Sequence, residues 1–454
     1  MRKQAAIALA VLALVGIVAA RLPNDLATSN GKVDLGNVAW MLTATGLVML
    51  MTPGLSFFYG GMVRGKNVIS TMLQSFIALA VISLIWVTFG FSLAFGNSIG
   101  GVIGDPRTFF MLRGVTSNLD AALSPTIPLS LFVLFQLKFA VITPALITGA
   151  FAERVRFSSY VLFMALFSVL VYCPLAHLTW HPNGLLHRWG VLDFAGGTVV
   201  HVSAGVAALA GATYFGRRRA HEGPHEPSNI PLVMLGTGML WFGWFGFNAG
   251  SALAANATAI SAFLATNTAS AAATVGWLLC DVARGKKPSA IGACVGAVVG
   301  LVAITPAAGF VGLGSSIAIG TLGAIGCNVA THLKSKTSID DTLDVFPCHG
   351  VGGLIGMVLT AVFATEGGAM NGSYRLLLVH LGAMVTVVPA VYFASLALYR
   401  LVDLVIPLRV SPEDELAGLD LSQHGETIYE AVAVDERSRF SSPTAGGLEI
   451  SSPA

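Results

Sequence analysis

The chain has 454 residues, of which 55% are hydrophobic and only 11% charged, against roughly 25% charged in an average soluble domain. One soluble core cannot hide that much apolar surface, so bilayer lipid must be the solvent. The net charge of +2 makes no case for a nucleic-acid partner, and none is expected.

In chain order, the first element is MRKQAAIALAVLALVGIVAA, with a basic start, an apolar run and small residues at Val18 and Ala20. This is the grammar of a signal peptide over residues 1–20, cleaved near Ala20; the alternative is an uncleaved first helix. Apolar spans then follow at 36–63, 68–96, 127–151, 157–179, 191–215, 229–253, 258–282, 288–308, 311–333, 340–365 and 375–405. Each is about 20 residues or more, the length a bilayer-crossing helix requires. The reading is therefore an all-α membrane protein of eleven transmembrane helices, with a membrane domain over 36–405 and a polar tail over 406–454 whose end reads as disordered. The 51 glycines suit close helix packing in lipid. Cys173, Cys280, Cys294, Cys327 and Cys348 are scattered, with no CxxC or zinc spacing; they read as reduced, packed thiols.

Loop charge sets the orientation. One set of loops carries Arg64 and Lys66, Arg154 and Arg156, Arg217 to Arg219, Arg284 with Lys286 and Lys287, and Lys334 with Lys336; the alternating set carries little beyond Arg107, Arg113 and Arg188. Positive charge favours the cytoplasm, which puts the mature N-terminus outside and the tail inside. Five helices followed by five more then meet the membrane in opposite sense. This is the layout of inverted repeats with a site near the midplane, with one long C-terminal helix in addition.

Two histidines fall where such a site would lie. In DFAGGTVVHVSAG, His201 is eight residues past Asp193, about 12 Å along a helix. In IDDTLDVFPCHGVGG, His349 is nine residues past Asp340, about 13–14 Å from the opposite face. Half of an apolar core is about 15 Å, so the two arrive at nearly the same depth. Glycines stand beside both (Gly196 and Gly197; Gly350, Gly352 and Gly353). A lone buried histidine is ordinarily a core residue, but ionisable groups inside membranes are costly and mostly functional. Two axial ligands for a haem are the other chemical reading.

Longer motifs bear on that choice. FYGGMVRGKNV at 58–68, ITPALITGAFAERVRF at 142–157, LDFAGGTVVHVSAG at 192–205, GWFGFNAGSA at 243–252, AITPAAGFVG at 303–312, DVFPCHGVGG at 344–353 and GLDLSQHGE at 418–426 resemble, in order, the ammonium transporter (Amt/Mep/Rh) family, closest to its bacterial members. Only the first segment, the 97–126 loop and the last stretch fall outside. The resemblance implies transport rather than catalysis, no cofactor and no metal. Ammonium and methylammonium are the substrates it implies.

It also implies roles. Trp180, Phe139 and Ser251 match an external ammonium site. Aromatic faces attract cations, and a hydroxyl accepts a hydrogen bond from ammonium. Within GWFGFNAGS, Trp244, Phe247 and Ser251 are spaced to share one helix face. Phe139 and Phe247 match a stacked phenyl gate. His201 and His349 match paired pore histidines that relay a proton by exchanging tautomers. Potassium, with no proton to give, is then excluded. Asp193 caps helix five and matches an acid indispensable to the outer site; Thr305 matches a pore-side threonine; Trp244 and Gln136 support the site, the latter one turn before Phe139. Asp340, Asp341 and Asp344 read as structural acids at a helix N-terminus. The tail matches a regulatory segment through Gly418, Asp420, His424, Gly425 and Glu426. Family members form homotrimers and take a PII-type signal protein on the cytoplasmic face. An ammonium sensor, binding with little flux, is the rival role. Three departures stand out: HPNGLLHRWG after Trp180; Pro347, which removes a helical donor and predicts a kink near His349; and Ile428 where a small residue is usual.

Overall fold

A computed structural model describes residues 2–21, 33–219 and 226–428. After α1 (Arg2–Ala19) come α2 (Leu35–Met62), α3 (Val68–Ile85), α4 (Phe91–Phe95), α5 (Leu129–Ile147), α6 (Phe157–Phe167), α7 (Cys173–Trp180), α8 (Leu185–Trp189) and α9 (Ser203–Phe215). Then follow α10 (Ile230–Gly250), α11 (Ala257–Ala283), α12 (Ala290–Ile304), α13 (Leu313–Lys334), α14 (Gly352–Phe363), α15 (Arg375–Val405) and α16 (Pro412–Ala417). Wider π-helical turns join α3 to α4, join α6 to α7, and lead into α9 and α14.

Ten helices among the described residues are long and apolar enough to cross a bilayer. The span predicted at 288–308 holds α12, an apolar helix of only 15 residues. It stops two residues before Pro306, whose ring nitrogen cannot extend the ladder. The fold is mostly, not purely, helical. Between α4 and α5, β1 (Ser98–Ile99) pairs with β2 (Ile103–Gly104), and β3 (Leu119–Asp120) pairs with β4 (Ser124–Pro128).

Both histidine-bearing helices begin later than the sequence suggests. The first starts at Gly197, not at Asp193, and the second at Phe346, not at Asp340. The acids lie ahead of the helices and cap them from outside. Asp193 accepts from the N–H groups of Gly196 (2.8 Å), Gly197 (2.6 Å), Thr198 (2.8 Å) and Val199 (3.3 Å). Asp341 accepts from Val345 (3.1 Å) and Phe346 (2.7 Å). Each of these acids lies eight residues before its histidine, so Asp341 and not Asp340 is the counterpart of Asp193. Pro347 sits in the first turn, where a missing N–H leaves no bond unmade; the predicted kink does not arise.

The basic loops gather on one face. Glu153 accepts from the Arg64 N–H (2.7 Å) and guanidinium (3.1 Å) and from Arg218 (2.9 Å), tying three loops together. Asp340 pairs with Arg218 at 3.0 Å and Asp344 with Lys334 at 2.6 Å. Burial pushes the Asp340 carboxyl up, but Arg218 and Arg154 outweigh it and hold it at about 2. The tail folds back onto the same face. Arg409 grips Glu415 at 2.9 Å, and Lys66 donates to the Leu416 carbonyl. Asp420 accepts from Ile69 (3.0 Å) and Ser70 (2.8 Å), capping the start of α3. His424 reaches Ser70 at 3.2 Å. Gly418 has φ +106 and lies against Lys66, so only glycine fits there without strain. Gly425 is also left-handed (φ +71), and the Glu426 N–H returns to the Asp420 carbonyl at 3.2 Å. Ile428 is exposed; the tail end read as disordered lies outside the described residues.

Replacing Asp420 with alanine leaves the first N–H groups of α3 uncapped, a loss of about 1 kcal/mol. Protease should then cut within 406–428 faster than in the wild type, with the helical bundle intact on a gel.

Candidate functional site

The site is a column built on α5, α7, α10 and the two π-helical turns. At its top, on the face away from the basic loops, is a cavity of about 170 Å³ lined by Gln136, Phe139, Trp180 and Ser251 among apolar Phe132, Phe194 and Leu253. The indole N–H of Trp180 donates to the Asp193 carbonyl at 3.0 Å, which fixes the ring. Ser251 donates to the Phe247 carbonyl at 2.8 Å; its proton is spent there, so the hydroxyl oxygen can only accept from anything in the cavity. Gln136 is buried, and its side-chain oxygen has no partner. The three residues matched to an external site thus line one cavity, and Gln136 lines it with them.

Beneath the cavity Phe139 and Phe247 overlap, with centroids 4.2 Å apart and planes at 34°. Phe139 also meets the Trp180 ring edge-on at 5.8 Å. Below the pair lies a chamber of about 10 Å³, about what one water molecule requires. Its walls are apolar, including Met51, Leu55, Phe58, Ile142 and Val298, apart from His201, His349 and the indole of Trp244. The two imidazoles face each other, Nδ1 to Nδ1 at 3.3 Å. One of these nitrogens donates and the other accepts, and a tautomer exchange reverses the roles.

Trp244 and Thr305 stand elsewhere than the sequence suggests. Trp244 is not in the mouth: its ring stacks on His201 at 5.3 Å. The shared face of α10 therefore runs down the column, from Ser251 at the mouth through Phe247 at the constriction to Trp244 in the chamber. Thr305 lines neither space. It accepts the Trp244 N–H at 2.9 Å, and so draws that polar hydrogen out of the chamber.

A backbone contact makes the histidine pair possible. A β-carbon placed on Gly205 would lie 2.1 Å from the Gly350 nitrogen and 2.3 Å from its α-carbon. The helices therefore touch main chain to main chain one turn from the imidazoles, an approach open only to glycine. Gly205 escaped the sequence reading, and Asp341 was read as a structural acid at a helix N-terminus but not as the counterpart of Asp193. The signals were an acid eight residues before each histidine and a glycine four residues after each, Gly205 and Gly353.

The model of the Ammonium Transporter Family matches residues 39–429. The chain belongs to the ammonium transporter family. An ammonium transporter of Aquifex aeolicus is 43% identical over 426 residues, covering 92% of this chain and 99% of that protein. One of Bacillus subtilis is 45% identical, covering 88% and 99%. Among solved structures, Saccharomyces cerevisiae Mep2 superposes with a TM-score of 0.82 at 34% identity, covering 90% of this chain and 98% of that one. A structure titled a sensor Amt protein gives 0.79 at 33% identity, covering 86% and 98%. This family carries ammonium across membranes as transporters or channels; its members are not enzymes.

Gly205→Ala must push His201 and His349 apart. Overpacking of this kind costs about 1–3 kcal/mol. The expected result is a lower melting temperature in detergent and slower uptake, both worse for Gly205→Val.

Proposed function

We propose that the protein takes up ammonium across the cytoplasmic membrane by stripping its proton and passing ammonia through the column. The observation that carries this is the vertical order of a cation-compatible mouth, a closed phenyl pair, and an imidazole pair in an apolar chamber. Ammonium binds in the mouth against Trp180 and Phe139, each ring worth about 0.5–2 kcal/mol to a cation. Ser251 and Gln136 accept its hydrogens. A bare ion entering the chamber would lose its water for walls of methionine, leucine and phenylalanine, and charge at the centre of a bilayer costs about 2.5 kcal/mol or more. A neutral amine carries no such penalty. The rings of Phe139 and Phe247 swing aside to admit it, while the proton crosses separately through His201 and His349 by exchange of tautomers. Potassium cannot divide itself this way.

The same reading covers the architecture. Eleven spans, the eleventh being short α12, form two inverted five-helix repeats plus α15; the matched Asp193–His201 and Asp341–His349 arrangements support this. The ion-paired basic face is cytoplasmic, the mouth is external, and residues 1–20 are a cleaved signal peptide. The assembly is a homotrimer in the cytoplasmic membrane that supplies nitrogen for assimilation. The tail residues Gly418, Asp420, His424, Gly425 and Glu426 form a docking surface for a PII-type protein. An ammonium sensor is the second reading, favoured by the likeness to the sensor Amt structure.

Cells without their own ammonium transporters separate the two. The transport reading predicts methylammonium accumulation on expression of this chain; binding without accumulation selects the sensor. In the same cells Gln136→Leu, which removes an acceptor of a charged donor, should raise the half-saturating concentration about tenfold with the maximal rate kept. An unchanged value removes Gln136 from the binding set.

A further inference from the structure

We propose that His181 is a positioning residue that makes ammonium capture sensitive to external acidity by holding Trp180 in place. This rests on the uptake reading. Helix α7 ends at Trp180, and His181 follows as its cap in extended conformation, its N–H donating to the His177 carbonyl at 3.2 Å. Trp180 is therefore the last helical residue before a turn whose geometry depends on His181.

The protonation pattern can be read from the partners. His177 is fully buried. Its Nδ1 lies 2.9 Å from the Ala94 carbonyl, which can only accept, so Nδ1 carries the proton. Its Nε2 lies 2.8 Å from the Ser98 hydroxyl, which then donates. Both nitrogens are used, and the ring is locked. The His181 ring stacks on it, with centroids 4.3 Å apart and planes at 15°. The Asn183 N–H donates to His181 Nδ1 at 3.1 Å, so that nitrogen is bare and the proton of the neutral ring is on Nε2. The Gly184 N–H closes the turn on the His181 carbonyl at 2.8 Å.

A second proton on His181 has one place to go, Nδ1. It would meet the Asn183 N–H head-on and put a full charge over the locked His177 ring. The other titratable groups whose charge reaches His181 are His187 on α8 and Asp120 on β3. The Asp120 carboxylate already accepts from Ala122 (2.9 Å) and Leu123 (2.8 Å), two residues of the mouth lining. Protonation therefore loosens the turn that ends α7, shifts the indole of Trp180, and adds positive charge beside a cation site. All three effects weaken capture. The sign follows: burial first, and then the His177 and His187 imidazoles, lower the titration of His181 to about 4, so capture is strong where the ring is neutral and falls as external pH drops toward that value. Ammonium itself stays fully protonated over that interval, so its supply does not change.

The test is methylammonium uptake by cells expressing the full chain, with half-saturating concentration and maximal rate measured from about pH 7.5 down to about pH 4. The wild type is expected to hold its apparent affinity down to about pH 5 and to lose about twofold at the lowest pH, where half of the His181 rings carry the charge, with its maximal rate little changed. His181→Gln should keep its affinity flat. If that variant does not reach the membrane, His181→Gly serves, with the same flat profile expected. A wild type with constant affinity, or a variant whose affinity falls as the wild type's does, overturns the inference. Absence of wild-type uptake at pH 7.5 would instead overturn the transport reading beneath it.

Discussion

The main chain of α9 meets the main chain beside His349 at Gly205 and Gly350 with no side chain between them. The rest of the site depends on that contact. It sets the separation of the two π-helical turns, and so brings His201 and His349 within hydrogen-bond reach inside an apolar chamber. Any larger residue would hold the backbones apart, and two unpaired imidazoles would then face hydrocarbon. The π-helical turns that carry both histidines belong to the same solution, since such turns recur where a helix must present a side chain out of register.

Above this contact the column is assembled so that polar hydrogens point away from the path. Trp244 gives its N–H to Thr305, Trp180 gives its N–H to Asp193, and Ser251 gives its proton to Phe247. What faces the column is π-surface and unspent acceptors. Asp193 links the two levels: its carbonyl orients the mouth indole while its carboxylate caps the turn bearing His201. One acid thus couples the shape of the upper cavity to the position of His201.

Much of this was legible in the sequence because membrane spans are long and apolar and because intramembrane histidines are rare. Helix arithmetic put His201 and His349 at one depth; that they pair was implied by the family resemblance. The same arithmetic misassigned the acid at the second helix, since capping carboxylates lie outside the helices they cap and a run of Asp340, Asp341 and Asp344 offers three candidates. Phe139, Trp180 and Ser251 came from family resemblance; no spacing rule joins residues on three separate elements. The bond between Trp244 and Thr305 was hidden for the same reason, being made across α10 and α12. The short strands between α4 and α5 have too few residues for any periodicity, and α12 is shorter than its predicted span because Pro306 ends the helix inside an apolar run.

The central claim is that charge and amine cross separately because the imidazole pair carries the proton while the chamber rejects ions. Current recorded from the reconstituted protein under ammonium and potassium gradients tests it most directly, comparing the wild type with the His201→Ala, His349→Ala double variant. The account predicts an ammonium current and no potassium current for the wild type. It predicts loss of the ammonium current, loss of the discrimination against potassium, or both, for the variant. A double variant that matches the wild type in both respects would contradict it.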